Sequence, residues 1–349
     1  MKKLGYRWTT LAICVTLAWL SSMACAARRL PELSVFNWTE YLPQEILNAF
    51  TKEFGVRVNY DTYSSNEEML AKLSAGAAGY DIIVPSDYMV SILRKQNLLA
   101  PLNKQALTNW RNLDPQWLNL DFDPGNTYTV PYMWGTVGLA VNTSYVKEKI
   151  TGWHDLWNPK YKGRVVLPDD PREVVGLGLQ VLGKSRNSTN TNDLEAAKQK
   201  LQSLMPAVKA FDSDSPKSLL LSGEVYIGMV WSGEAVLASM ENPRITYILP
   251  QEGGGIWMDV LAIPRAARNK DTAHQFIDFL LRPQISAQLS KAYPYGNPNK
   301  ASHAFTDPKI LNNPAAYPPA AALKKTEWLT DVGQATLVYD RIWTELKAH

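Results

Sequence analysis

Aromatic and acidic side chains recur together where apolar runs end. Phe36 is followed by Trp38, Thr39, Glu40 and Tyr41, and Val84 by Ser86, Asp87 and Tyr88. Leu167 is followed by Asp169, Asp170 and Glu173, and Val230 by Trp231. Trp257 and Asp259 stand two residues apart in the run 256–263, so a strand there puts both on one face. None of these groups centres on Lys, Arg or His. If the runs are strands of an open α/β sheet, their carboxyl ends are where a ligand binds. The cleft would then be lined by π-faces and negative charge, which suits an elongated organic polycation. Carboxylates take ammonium groups in charge-assisted hydrogen bonds. Ring faces attract the cation at roughly 0.5–2 kcal/mol per contact, and each buried methylene adds about 0.8 kcal/mol. Desolvation and lost freedom consume much of that gain, leaving a net near −8 kcal/mol, about micromolar affinity.

Other chemistry is poorly supported. The four histidines are scattered, with no metal-ligand spacing, and no G-x-S-x-G elbow occurs. No metal or cofactor is expected. Gly253-Gly254-Gly255 lacks the Lys-Ser/Thr of a phosphate loop and reads as a turn, as does the segment 293–299 around Tyr295. Asp170-Pro171-Arg172-Glu173 also scans as a helix start with a capping acid, a role a carboxylate can combine with ligand binding. Trp38 and Tyr41 are equally core types. Carboxylates among tryptophans keep a glycosidase open as the enzymatic alternative, and a sugar or another organic cation as alternative ligands.

Charge and composition narrow the class. The 349 residues carry 36 Lys+Arg and 33 Asp+Glu. Lys2, Lys3 and Arg7 lie in the first 26 residues, where no acid occurs; without them 33 basic residues face 33 acidic ones. A neutral body argues against a nucleic-acid binder working by general phosphate attraction. The basic start, the apolar run 11–20 and Ala24-Cys25-Ala26 predict a cleaved export signal over 1–26. A short membrane anchor and lipidation at Cys25 are the alternatives. Ser22, three residues before Cys25, stands where a lipoprotein signal usually has Leu. Both cysteines, Cys14 and Cys25, fall in that segment, so the exported chain is expected to hold no disulfide and no thiol nucleophile. The 12 Trp and 16 Tyr exceed what a core needs, since both carry polar handles that want partners.

Behind the candidate residues, strand and helix patterns alternate. Strands are predicted at 33–36, 56–60, 81–85, 163–167, 225–230 and 256–263. Helices are predicted at 43–54, from a cap at Asn66 through Leu73, and at 89–99, 171–182, 194–205 and 332–346, with another opening at Ser215-Pro216. The second set begins near Val137. Helices of this length between strands imply βαβ units, and the length implies two lobes with a site between them.

The strings Phe36-Asn37-Trp38-Thr39-Glu40-Tyr41, Val84-Pro85-Ser86-Asp87-Tyr88 and Asp169-Asp170-Pro171-Arg172-Glu173-Val174 closely resemble the periplasmic spermidine/putrescine-binding proteins of bacterial ABC importers. So do Gly228-Met229-Val230-Trp231-Ser232-Gly233 and Trp257-Met258-Asp259, in the same order along the chain. The resemblance implies an α/β, two-lobed type II periplasmic binding protein fold. Each lobe would be a mixed, mostly parallel sheet flanked by helices, with a hinge and an inter-lobe cleft. It sets the lobes at 30–136 with 260–305 and at 137–259 with 306–349. It implies a polyamine ligand, delivery to the membrane permease of an ABC importer, no catalysis, a periplasmic location and a monomer. Carried over by motif, Trp38, Tyr41, Tyr88, Trp231, Trp257 and Tyr295 become aromatic walls. Glu40, Asp170, Glu173 and Asp259 become carboxylates for the amino groups, and Thr39, Ser86 and Ser213 smaller polar contacts. Four acids would favour a triamine over a diamine, because unused buried carboxylates are costly. Leu329 stands where spermidine-preferring members carry a ligand-contacting Gln.

Overall fold

The computed structural model describes residues 30–75 and 79–348. The expected export signal, both cysteines and Gly76, expected to bracket the end of the helix that opens at Asn66, lie outside the described residues. Strand β1 (Glu32–Trp38) pairs in parallel with β2 (Arg57–Tyr63) and β3 (Ile82–Ile83). Parallel neighbours need a crossover, and the helices Gln44–Phe54 and Asn66–Ser74 supply it. Gly55 closes the first helix in the left-handed conformation (φ 64°). Ser65 caps the second, its hydroxyl accepting from the Glu68 N–H, whereas the expected cap, Asn66, turns inward. The predicted strand 81–85 keeps ladder partners only at Ile82–Ile83, and the predicted helix 89–99 runs Asp87–Lys95.

Strand β4 (Thr129–Asn142) is fourteen residues long and buried throughout. The sequence pattern predicts no strand here, only a second set of elements beginning near Val137, because a doubly covered strand shows no polar alternation. Beyond it, β5 (Val165–Leu167) pairs in parallel with β6 (Val208–Phe211) and β7 (Ile227–Trp231). The helices Pro171–Val181, Thr191–Gln202 and Pro216–Ser222 connect this group. Strand β8 (Ile245–Ile248) pairs with β4, and β9 (Gly255–Ala262) runs antiparallel to β4 along its length and also meets β3. Strand β10 (Glu327–Trp328) pairs with β9, and the helix Thr336–Lys347 follows near the C-terminus. Sequence reading passed over β6, β8, β10 and the helices Ser232–Glu241, Lys270–Leu280 and Pro283–Ala292.

Two parallel groups are thus joined through the antiparallel strands β4 and β9. Each group has its own core. Leu33, Phe50, Val130, Leu261 and Phe276 pack in one, and Val137, Trp153, Leu177, Met229 and Tyr339 in the other. Trp231 and Trp257 pack against both. No helix among the described residues is long and apolar enough to cross a membrane.

The second core depends on a close strand approach. Gly228 of β7 faces Val166 of β5, and a Cβ there would lie 2.5 Å from the Val166 carbonyl oxygen. Backbone cannot move aside as a side chain can, so Gly228→Ala forces strand separation. The expected cost is about 2 kcal/mol, a fall in Tm of roughly 3 °C by circular dichroism.

Candidate functional site

Residues at the carboxyl ends of β1, β3, β5, β6 and β7, with two from the middle of β9, line one cavity of about 930 Å³, its open mouth included. All thirteen residues singled out in the sequence lie in its wall: Trp38, Thr39, Glu40, Tyr41, Ser86, Tyr88, Asp170, Glu173, Ser213, Trp231, Trp257, Asp259 and Tyr295. So does Leu329, which is buried and belongs to the core cluster of Tyr88, Met89 and Met258. The remaining lining residues are Ser64, Asn66, Asp87, Asp214, Glu234 and Tyr293. The wall therefore carries seven carboxyl groups and seven aromatic rings, and no lysine, arginine or histidine.

The rings stand edge to face. Trp257 meets Trp231 at 6.3 Å and 85°, and Tyr295 at 5.2 Å and 71°. Tyr41 meets Tyr295 at 5.9 Å. Such pairs add about 0.5–1.5 kcal/mol beyond area burial and hold each face in a set direction. Trp257 lies against Gly135 of β4, where a Cβ would come within 2.6 Å of the indole, so only glycine lets the ring settle there. Trp38 is pinned by its Nε1–H, which donates to the Val84 carbonyl at 2.9 Å.

The carboxylates differ in what surrounds them. Asp259 is buried and accepts hydrogen bonds from the Tyr41 and Ser86 hydroxyls, both at 2.7 Å. Burial lifts it to about 6 despite those two bonds. Burial and the neighbouring Asp259 push the Tyr41 phenol well up, so it stays protonated and donates. Asp170 caps the Pro171–Val181 helix by accepting the Glu173 N–H at 2.9 Å, and burial raises it above the usual carboxylate range. Asp87 accepts from the Tyr88 and Met258 N–H groups, yet burial holds it well above the ordinary value. Glu173 carries its own cation: its Oε2 bonds the Arg186 guanidinium, and both side chains are almost fully buried, at 3% and 1% exposure. Glu40 and Glu234 share Lys217, at 3.4 and 3.2 Å.

Four lining acids or rings outside those thirteen had a signal. Asp87 precedes Tyr88, Asp214 follows Ser213, Glu234 follows Trp231 by three residues at a strand end, and Tyr293 precedes Tyr295. Asn66 has the reverse history, since its side-chain amide serves Ser86 and Tyr88 (3.1 and 3.2 Å) instead of capping. Among the described residues no group of His, Cys, Asp and Glu could hold a metal ion.

A family model described as bacterial extracellular solute-binding protein matches residues 45–319. This chain belongs to that family. It is 45% identical over 318 residues to a spermidine/putrescine-binding periplasmic protein of Salmonella typhimurium, covering 90% of this chain and 91% of the relative. It is 32% identical to a putrescine-binding periplasmic protein of Escherichia coli over the full length of both. Among solved structures, a putative spermidine/putrescine ABC transporter protein of Listeria monocytogenes superposes with a TM-score of 0.88 at 36% identity, covering 90% and 98% of the two chains. The fold is that of the type II periplasmic binding proteins of this solute-binding family.

The Glu173–Arg186 pair has a structural consequence. Removing one partner of a buried ion pair leaves an uncompensated charge. Arg186→Met is therefore expected to destabilise the protein by about 3–5 kcal/mol in urea denaturation, and Arg186→Met with Glu173→Gln to recover most of that loss.

Proposed function

We propose that this solute-binding protein captures a polyamine, spermidine or putrescine or both, between its two lobes and delivers it to the permease of an ABC importer. The observation that carries this reading is the cavity wall of seven carboxyl groups and seven rings without one basic side chain. A neutral sugar would stack on the rings and leave the buried acids uncompensated, whereas an alkyl chain with ammonium groups answers both. The relatives at 45% and 32% identity are named for the same ligand class. The protein binds and releases its solute; it is not an enzyme.

In this proposal Trp38, Tyr41, Tyr88, Trp231, Trp257 and Tyr295 cover the methylene chain. Asp259, Asp170 and Glu173 face the amino groups with Glu40 at the rim, and Thr39, Ser86 and Ser213 give smaller polar contacts. Ser213 Oγ is buried with no hydrogen-bond partner in the protein, and can accept from an ammonium. The lobes are 30–136 with 260–305 and 137–259 with 306–349, hinged where β4 and β9 cross. A ligand touching both lobes favours closure by its differential affinity for the closed state. The chain works as a monomer in the periplasm, reached through the signal over 1–26.

Calorimetry with spermidine, putrescine, spermine and a maltooligosaccharide tests the reading. Binding of a polyamine and not of the sugar is expected; the opposite result overturns it. Asp259→Asn or Trp257→Ala should weaken polyamine binding at least tenfold, about 1.4 kcal/mol, with the circular dichroism unchanged.

Acidity gives a further check. Asp259 stands near 6, and an ammonium beside it favours the charged form. Ligand uptake below that pH must then expel a proton. Affinity should be full above pH 6 and fall as the pH drops through it, by up to tenfold per unit. Asp259→Asn should flatten that slope.

A further inference from the structure

The cavity wall holds no basic residue, but one ammonium sits just behind it. Lys217, in the first turn of the Pro216–Ser222 helix, places its Nζ 3.2 and 3.3 Å from the two oxygens of Glu234 and 3.4 Å from Oε2 of Glu40. Both acids line the cavity, and they come from opposite sides of it. Glu40 follows β1, and Glu234 lies in the helix that follows β7. The lysine is only 16% exposed. Glu40 has its backbone in the left-handed region (φ 50°), a conformation that costs a residue with a side chain about 1–2 kcal/mol. No comparable cation stands over Asp259, whose partners are two hydroxyls.

Resting on the polyamine reading, we propose that Lys217 is a specificity-determining residue: a fixed ammonium that closes one end of the cleft and fills the place a further ligand amine would take. Two consequences follow from charge alone. One ammonium against two carboxylates leaves the trio with a net charge of −1, so Glu40 and Glu234 offer an incoming amine less than two free acids would. A ligand long enough to bring another ammonium to that end meets a like charge, whose repulsion grows as water is excluded. The cleft therefore favours polyamines with fewer amines over those with more. Removing the charge at 217 returns both carboxylates to the ligand.

The test is calorimetry of the full-length exported protein with putrescine, spermidine and spermine. It compares wild type with Lys217→Met, Lys217→Gln and Lys217→Arg, the fold of each checked by circular dichroism. Both neutral variants remove the ammonium, and Gln keeps a polar group should Met not fold. Either should raise the affinity ratio of spermine to putrescine at least tenfold. Lys217→Arg should keep the wild-type ranking. Adding Glu40→Gln to Lys217→Met should take back most of the gain, which marks the freed carboxylate as its source. A ranking unchanged in the folded neutral variants overturns the assignment of Lys217 and leaves the polyamine reading standing. Wild-type protein that takes up none of the three amines overturns both.

Discussion

Buried negative charge without a buried positive partner is the constraint around which this molecule is built. Bringing a carboxylate out of water costs several kcal/mol unless a cation or a full set of donors replaces the lost hydration. The cavity supplies donors and stops there. Asp259 receives two hydroxyls, Asp170 and Asp87 receive backbone N–H groups, and each stays above the ordinary carboxylate range because of burial. Hydrogen bonds orient these groups without neutralising them. In the polyamine reading proposed above, the solute neutralises what remains, and that deficit distinguishes the cavity from a structural ion-pair network.

The acids that the protein does compensate show the same logic from the other side. Arg186 holds Glu173 while its own backbone N–H reaches Glu327 and its guanidinium the Glu327 carbonyl, so the pair ties the Pro171–Val181 helix to β10. Lys217 holds Glu234 and reaches Glu40 across the cleft. One pair fixes the floor of the cavity and the other its rim. Between them lie Asp259 and Asp170, which form no ion pair, although the Arg172 and Arg186 guanidinium groups act on Asp170. The protein thus separates acids whose charge its own cations share from acids it leaves without an ion pair.

How much of this was legible follows from what sequence pattern encodes. Short strands ending in a chemically mixed cluster announce themselves, so Trp38 to Tyr41, Ser86 and Tyr88, and Asp170 and Glu173 could be picked out before the fold was known. Trp257 and Asp259 were legible from a two-residue spacing. β4 was not, beyond a second set beginning near Val137, because a strand buried on both faces lacks alternation. Nor were the cations behind the wall: nothing local links Arg186 to Glu173 or Lys217 to Glu40, which meet only through the sheet order. Asn66 illustrates a further limit. Its type suited a helix cap, but Ser65 one residue earlier could cap equally well, and tertiary contacts with Ser86 and Tyr88 decided between them.

Position along β4 and β9 explains why these charges can act as a switch and not only as a sink. The two strands pass from one core to the other and lie side by side, so bending them moves the cores without breaking either. Trp231 and Trp257 pack against both cores at that crossing, and Arg172 places its guanidinium 5.6 Å from the Tyr88 ring across the gap. A flexible ligand bears its own ordering cost on binding, so rings already locked by edge contacts and by Trp38 Nε1 spare the protein a second one. Closure is then favoured by whatever the ligand touches on both sides at once. Each side brings both acids and rings, Glu40, Trp38 and Tyr88 from one and Asp170, Glu173 and Trp231 from the other, so a charged chain with an apolar spacer is the solute that touches most of both.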